Sequence, residues 1–263
     1  MRIPLSCRVG IGLILLTFIL IGLGVIHCFV PSVLLGIWFV WLLASFPGYW
    51  QIRREPFFTE AFPDGDPTWN PLFLRIGMTV MLLICWIHAM TPETRHDPYD
   101  YHLTIPTLYL AYQGIVEIPW HVFSYMPKNC EILYGLALGV GNDSLAKVIH
   151  LAFGCLCTLS ISSFIKRIAG HEASMLAALL TVTLPVFGFI ATASYIDLAR
   201  AFWELSALYM LFQVWEETDP RTQSYSLILS GLFAGMALGT KYVSFLVFFP
   251  PYLILAAFSF WWR

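Results

Sequence analysis

The sequence predicts an all-α integral membrane protein, a polytopic bundle of about eight transmembrane helices with one large extracytoplasmic loop carrying interfacial helices. Three observations predict it. Apolar residues make up 59% of the 263 positions and charged residues only 11%, whereas soluble domains run near one-quarter charged. So few charges cannot cover a water-facing surface, and lipid must solvate much of the chain. The apolar residues gather in runs of about 20, the length a helix needs to cross a hydrocarbon core. Pro31, Pro185, Pro250 and Pro251 punctuate these runs as turns or kinks.

The first run, 9–30, follows Arg2 and Arg8. It is too long for a signal peptide and lacks a small-residue cleavage site after it, so it reads as a retained helix. The second is 32–50. A polar loop, 51–71, follows with Pro63-Asp-Gly-Asp-Pro67 as turn chemistry, and closes an N-terminal unit, 1–71. Residues 72–263 form the core, opened by the run 72–90. The stretch 91–145 is long and too aromatic for a disordered linker. Its apolar pieces, 103–112 and 131–140, are too short to span. They fit helices at the membrane interface, with Tyr109, Tyr112, Trp120, Tyr125 and Tyr134 at headgroup level. Five runs complete the chain: 146–165, 173–193, 196–215, 226–240 and 242–262. Lys241 interrupts the last two, and 226–240 is short.

Basic residues set the orientation. With the N-terminus in the cytoplasm, the inner segments carry nine: Arg2, Arg8, Arg53, Arg54, Arg75, Lys166, Arg167, Arg221 and Arg263. The outer segments carry four, namely Arg95, Lys128, Lys147 and Lys241. The chain is therefore expected in a cell inner or plasma membrane with its N-terminus cytoplasmic and the lipid bilayer as its first partner. A formal net charge of −2 and the lack of a basic run give no footprint for nucleic acid. The six cysteines imply no disulfide framework, and Cys155-Leu-Cys157 reads as packing.

Four polar features on the outer side carry the candidate chemistry. His96-Asp97-Pro98-Tyr99-Asp100-Tyr101-His102 offers a carboxylate as a general base toward a hydroxyl, with a neighbouring histidine to position or share the proton. The same stretch also suits a solvated turn with interfacial tyrosines. Asp197, Arg200 and Glu204 share one helical face, Glu204 lying about 10 Å deeper than Asp197. Charges at that depth usually face a bundle interior or a water-filled cavity, although an Arg200–Glu204 pair and a capping role for Asp197 would serve structure alone. Lys241, in Gly239-Thr240-Lys241-Tyr242, suits a phosphate at the hydrocarbon edge and equally suits snorkelling to headgroups. Glu131, after Lys128 and Asn129, has the chemistry of a helix start. His150 reads as a hydrogen-bonded packing residue, and Asn142-Asp143-Ser144 matches a glycosylation acceptor only as a common triplet. No Walker loop, dinucleotide fingerprint, H-E-x-x-H or G-x-S-x-G is present.

In their order, these segments resemble the polytopic GT-C glycosyltransferases, in particular the relatives of protein O-mannosyltransferases and aminoarabinose transferases. The first is Asp97-Pro98-Tyr99-Asp100-Tyr101-His102-Leu103-Thr104-Ile105-Pro106, similar to the family's first-loop motif. Glu131-Ile132-Leu133-Tyr134 through Gly139 resembles its membrane-surface helix. Tyr195-Ile196-Asp197 through Phe202, and Gly231-x-x-x-Gly235-x-x-x-Gly239-Thr240-Lys241-Tyr242, resemble its later turns. The resemblance implies an inverting transfer of a hexosyl or pentosyl sugar from a polyprenyl-phosphate donor to an acceptor on the extracytoplasmic face. Asp97, with Asp100 as its rival and His102 beside it, would activate the acceptor. Asp197 would be the second acidic residue and the metal ligand if a divalent ion is used. Lys241 would face the donor phosphate, with Tyr101, Glu131, Arg200 and Glu204 also at the substrate. Asp97 is followed by Pro98 where members usually carry an acidic pair, and two extra spans precede the core. Members usually continue beyond the point reached at Arg263, so a fragment, split enzyme or degenerate homologue is expected. The alternative is a non-catalytic subunit that keeps a truncated transferase-type fold among other membrane subunits, packing through Gly231, Gly235 and Gly239. A transporter, with Asp197, Arg200 and Glu204 lining the path, lacks an internal repeat.

Overall fold

The computed structural model describes residues 3–54 and 71–261, so most of the predicted polar loop 51–71 lies outside the described residues. Every regular element among the described residues is helical. Helix α1 spans Leu5–Val25, α2 Pro31–Arg54 and α3 Pro71–Ala89. The loop region holds a π-helical turn, Pro98–Leu103, helix α4 (Thr104–Ala111), a 3-10 turn, Val122–Tyr125, and α5 (Glu131–Gly139). Then come α6 (Asp143–Thr183), α7 (Pro185–Ala191), α8 (Asp197–Glu216), α9 (Pro220–Leu238), α10 (Val243–Val247) and α11 (Phe249–Trp261). Among the described residues three helices, α1, α3 and α6, are long and apolar enough to cross a membrane.

The predicted runs 146–165 and 173–193 fall together in the 41 residues of α6, which is broken at Gly170. That residue adopts φ +83° and ψ −176°, a backbone conformation essentially confined to glycine. The Ser162 and Ser174 hydroxyls meet at 2.8 Å. Twelve residues of straight helix would hold them about 18 Å apart, so the chain doubles back at Gly170 and α6 is a hairpin of two limbs. The second run also ends early, because Leu184 turns extended before Pro185 and α7 restarts there. The short run 226–240 lengthens toward its start, to Pro220, where Asp219 caps the helix by accepting the Thr222 N–H at 2.9 Å. The last run divides at Phe248, ahead of Pro250 and Pro251, into α10 and α11.

The core is aromatic. Phe153, Phe202 and Phe233 surround Trp203 with ring centroids 4.8–6.0 Å away, the separation at which ring pairs attract beyond their area. Helix α1 reaches this cluster at Gly10, where a Cβ would stand 2.8 Å from the Phe233 ring. The loop region closes on the α1–α2 turn, the Ile115 N–H donating to the Gly24 carbonyl and the Phe29 N–H to that of Gln113, both at 2.9 Å.

Two expectations for the loop region are overturned. Helix α5 does not lie on a surface, because each residue from Glu131 to Ala137 is buried. Tyr134 and Tyr109 are 0% and 5% exposed, so neither ring is at headgroup level. Gly135 lets the Phe29 ring lie directly against α5, and a nine-residue apolar helix buries all its faces when α1, α2, α4 and α6 surround it. Tyr112, Trp120 and Tyr125 are exposed.

Candidate functional site

The turn that leads into α8 is held by three side chains from three other elements. His150 of α6 places Nδ1 at 3.0 Å from the Ile190 carbonyl and 2.9 Å from that of Ala193, and its Nε2 accepts the Leu198 N–H at 3.1 Å. That pattern assigns the neutral tautomer with the proton on Nδ1. Glu93, buried after α3, accepts the Ser194 N–H on Oε2 at 2.8 Å. The Tyr134 hydroxyl donates to the Tyr195 carbonyl. Residues 190–198 are thus fixed, and Asp197 with them, as the first residue of α8.

Lys241 reaches Asp197 from the turn after α9, its Nζ donating to Oδ1 at 2.9 Å. The two side chains are 38% and 29% exposed, so the pair remains accessible to a ligand. Asp197 therefore serves an ion pair, and the N-cap position of α8 is held by Ile196 instead. The turn carrying Lys241 is pinned from the loop region, where the Asn129 N–H donates to the Gly239 carbonyl at 3.0 Å. One turn deeper, Arg200 Nε lies 3.9 Å from Glu204 Oε1, which accepts from the Ser244 hydroxyl at 2.7 Å. The contact is an ion pair only, and Arg200 Nε is buried without a hydrogen-bond partner among the described residues.

The π-helical turn brings Tyr101 to the same place. Burial raises its phenol to about 12, and the carboxylates of Asp97, Glu131 and Asp197 push in the same direction. Tyr101 is thus the residue on which the acidic groups from loop, α5 and α8 converge. Its ring stacks on Phe123 at 4.2 Å between centroids and tilts against His102 at 4.2 Å. His102 Nδ1 lies 3.0 Å from Glu131 Oε1, both side chains being 2% exposed, and Lys128 Nζ meets that oxygen at 3.3 Å. Glu131 Oε2 is buried without a partner among the described residues. Burial drives the neighbouring Cys130 thiol and Tyr134 phenol well up as well.

Asp97 is 57% exposed, 3.5 Å from His96. Asp100 turns elsewhere: His121 Nε2 is 3.9 Å from its carboxylate and 3.2 Å from its carbonyl. Asp197, Lys241, Tyr101, Glu131, His102 and Asp97 are therefore drawn together, whereas Asp100 is not and Arg200 with Glu204 sits below. Among the described residues no group of three or more His, Cys, Asp or Glu side chains could hold a metal ion. Asp197, the expected ligand, gives its Oδ1 to Lys241, so no step here is routed through a metal.

Three contributors escape a reading of the sequence alone. Glu93 looks like an ordinary loop carboxylate. Lys147 buries its ammonium against the His88 and Pro92 carbonyls and the Thr91 hydroxyl at 3.2–3.4 Å, capping the end of α3. Asn129 acts through its backbone. The one available signal was a buried-looking lysine early in an apolar run.

The resulting arrangement pairs an accessible ammonium with a carboxylate at one end of the helices and sets a phenol, an imidazole and further carboxylates beside it. The model of the dolichyl-phosphate-mannose-protein mannosyltransferase family matches residues 132–263, which include α5 after Glu131, all of α8 and Lys241. No curated protein and no solved structure matches the chain. The match covers half of the chain, and the protein is a member of the dolichyl-phosphate-mannose-protein mannosyltransferase family, among the GT-C glycosyltransferases.

Proposed function

We propose that the protein transfers a sugar from a polyprenyl-phosphate donor to a hydroxyl acceptor on the extracytoplasmic face, where the loop region and Lys241 lie. In this reading eight helical passes cross the membrane and the N-terminus is cytoplasmic. The observation that carries it is the Lys241–Asp197 pair at 2.9 Å, accessible and set among the groups around Tyr101. A donor phosphate arriving at membrane depth takes the ammonium from Asp197, and the charge that develops on the leaving phosphate is neutralised there. The acceptor hydroxyl approaches from the loop, where the exposed Asp97 carboxylate stands ready for its proton. The bond from the sugar carbon to the phosphate oxygen breaks as the bond to the acceptor oxygen forms, with inversion at carbon.

The test is transfer by the full chain in nanodiscs, with radiolabelled dolichyl-phosphate-mannose as the probe donor and a serine-containing peptide as acceptor. Lys241→Met should lower the rate by about 10²–10³, the cost of removing one charge-stabilising group, and Lys241→Arg should restore part of it. Transfer by the Lys241→Met protein at the parent rate would remove the proposal.

A second reading, a non-catalytic subunit, draws on one observation. Gly231 and Gly235 on α9 have open space around them among the described residues, which leaves that face open to a partner helix. Gly239 differs, since Asn129 lies against it.

A further inference from the structure

Without a ligand, Asp197 holds the Lys241 ammonium at 2.9 Å. A phosphate that claims that ammonium leaves Asp197 without its close partner. The carboxylate is 29% exposed, so water hydrates it poorly, and an ion stripped of its partner in such a place is strongly destabilising. It also stands beside the newcomer as a like charge. At rest the four charges of Asp197, Arg200, Glu204 and Lys241 cancel; an arriving phosphate makes the group negative. Binding is favourable only if a second cation takes over Asp197.

Helix α8 supplies that cation on the same face. Arg200 follows Asp197 by three residues and precedes Glu204 by four, so the three side chains stand one above another. Helical side chains lean toward the N-terminus, which inclines Arg200 toward the turn of Asp197. Acid before base is also the better order for helical neighbours; Asp197–Arg200 has it and Arg200–Glu204 does not. The resting geometry agrees. Arg200 Nε stays 3.9 Å from Glu204 Oε1, beyond hydrogen-bond reach, and is buried without a hydrogen-bond partner among the described residues. Glu204 accepts the Ser244 hydroxyl at 2.7 Å, and so keeps a hydrogen bond when the guanidinium turns. After Lys241, Arg200 is the cation whose charge acts most on Asp197.

We propose that Arg200 is the relief partner of Asp197: when a lipid phosphate takes Lys241, the Arg200 guanidinium turns one helical turn outward and holds the Asp197 carboxylate. No covalent bond changes; two ion pairs exchange members. Arg200 is thus a positioning residue that acts on the donor through Asp197 and does not touch it. That the anion is a lipid phosphate rests on the proposed transferase reading.

Equilibrium binding of tritiated farnesyl phosphate to the full chain in phosphatidylcholine nanodiscs tests the exchange without turnover. Arg200→Gln should raise Kd about tenfold, within the coupling range of neighbouring charges, and Arg200→Lys should recover most of the loss. The decisive comparison uses Asp197→Asn protein, in which no carboxylate awaits a partner. There Arg200→Gln should shift Kd by less than about twofold, the margin within which independent effects add. Should Arg200→Gln not fold with Glu204 left alone, the double variant Arg200→Gln with Glu204→Gln removes both charges and takes its place in each background. Equal losses with and without Asp197 would mean that Arg200 serves the phosphate directly or only the fold, and would overturn the exchange. An Arg200→Gln protein that binds like the parent would overturn it too. In both cases the parent still binds, so the transferase reading stands. A parent chain that binds no farnesyl phosphate would instead remove the lipid-phosphate reading, and this inference with it.

Discussion

Tyr101 and His150 illustrate how single residues near the site are tuned by what surrounds them. His150 is 0% exposed, and all its hydrogen bonds go to the backbone of residues 190–198. It is a positioning residue, as its place in an apolar run suggested, but only the fold shows that the turn it holds is the one bearing Asp197. Burial, and after it the charges of Asp97, Glu131 and Asp197, pushes the Tyr101 phenol up to about 12 from its usual value near 10. Its folded-state value is raised, so the neutral phenol is favoured by folding, and that stabilisation is complete below pH 10. As pH climbs from 10 toward 12 the unfolded chain ionises first and the contribution is lost. Melting temperature measured at pH 9 and at pH 11.5 should therefore fall less in Tyr101→Phe than in the parent. Other tyrosines, Tyr109 and Tyr134 among them, shift in the same direction, so the difference between the two proteins is the informative quantity. Equal falls would show that Tyr101 is not held neutral by its neighbours. Asp97, Asp197 and Lys241 were legible as costly charges in an apolar chain. Glu93 was not, because a carboxylate beside a proline in a loop is commonplace and only the fold shows that it reaches residue 194.

At the scale of elements, hydrophobic length located most helices and missed how they end. Apolar runs report where a helix can lie, but their borders depend on single residues that composition averages away. Gly170 is the clearest case: it divides α6 into two limbs through a conformation that costs an ordinary residue about 1–3 kcal/mol. Gly170→Ala should destabilise the protein by that amount. Gly231→Ala, in the middle of α9 with open space around it, should stabilise the isolated chain by up to ~1 kcal/mol through helix propensity. Thermal unfolding of the purified variants in one detergent gives both signs. A destabilising Gly231→Ala would mean that another helix packs there in the purified protein, which favours the subunit reading. The interfacial placing of α5 failed for a related reason. A short, mostly apolar helix suits a membrane surface or a crowded interior equally well, and only the close approach of Phe29 at Gly135 decides for the interior.

For the molecule as a whole, the bias of basic residues and the placement of the site make one joint statement. Nine lysines and arginines fall on one side of the predicted topology and four on the other. On the second side lie the loop region and Lys241, whose turns are joined by the Asn129–Gly239 hydrogen bond and by the Tyr242 hydroxyl donating to the Tyr125 carbonyl. Lys166 and Arg167 lie near the Gly170 turn at the far end of the first limb of α6, about 24 residues from the start of that helix at Asp143 and so about 35 Å away at 1.5 Å per residue. That separation matches a bilayer's hydrocarbon core plus part of its interface. In the proposed topology the two ends face opposite compartments. A membrane-impermeant maleimide applied to intact cells should label Trp120→Cys, which is 69% exposed in the loop region, and should leave Ile168→Cys, 58% exposed beside the Gly170 turn, untouched until the membrane is opened. The six native cysteines set the background and are subtracted with the parent protein. The inverse pattern would place Lys241 in the cytoplasm and require a cytoplasmic donor. Labelling of both positions in intact cells would mean that the first limb of α6 does not cross the bilayer at all.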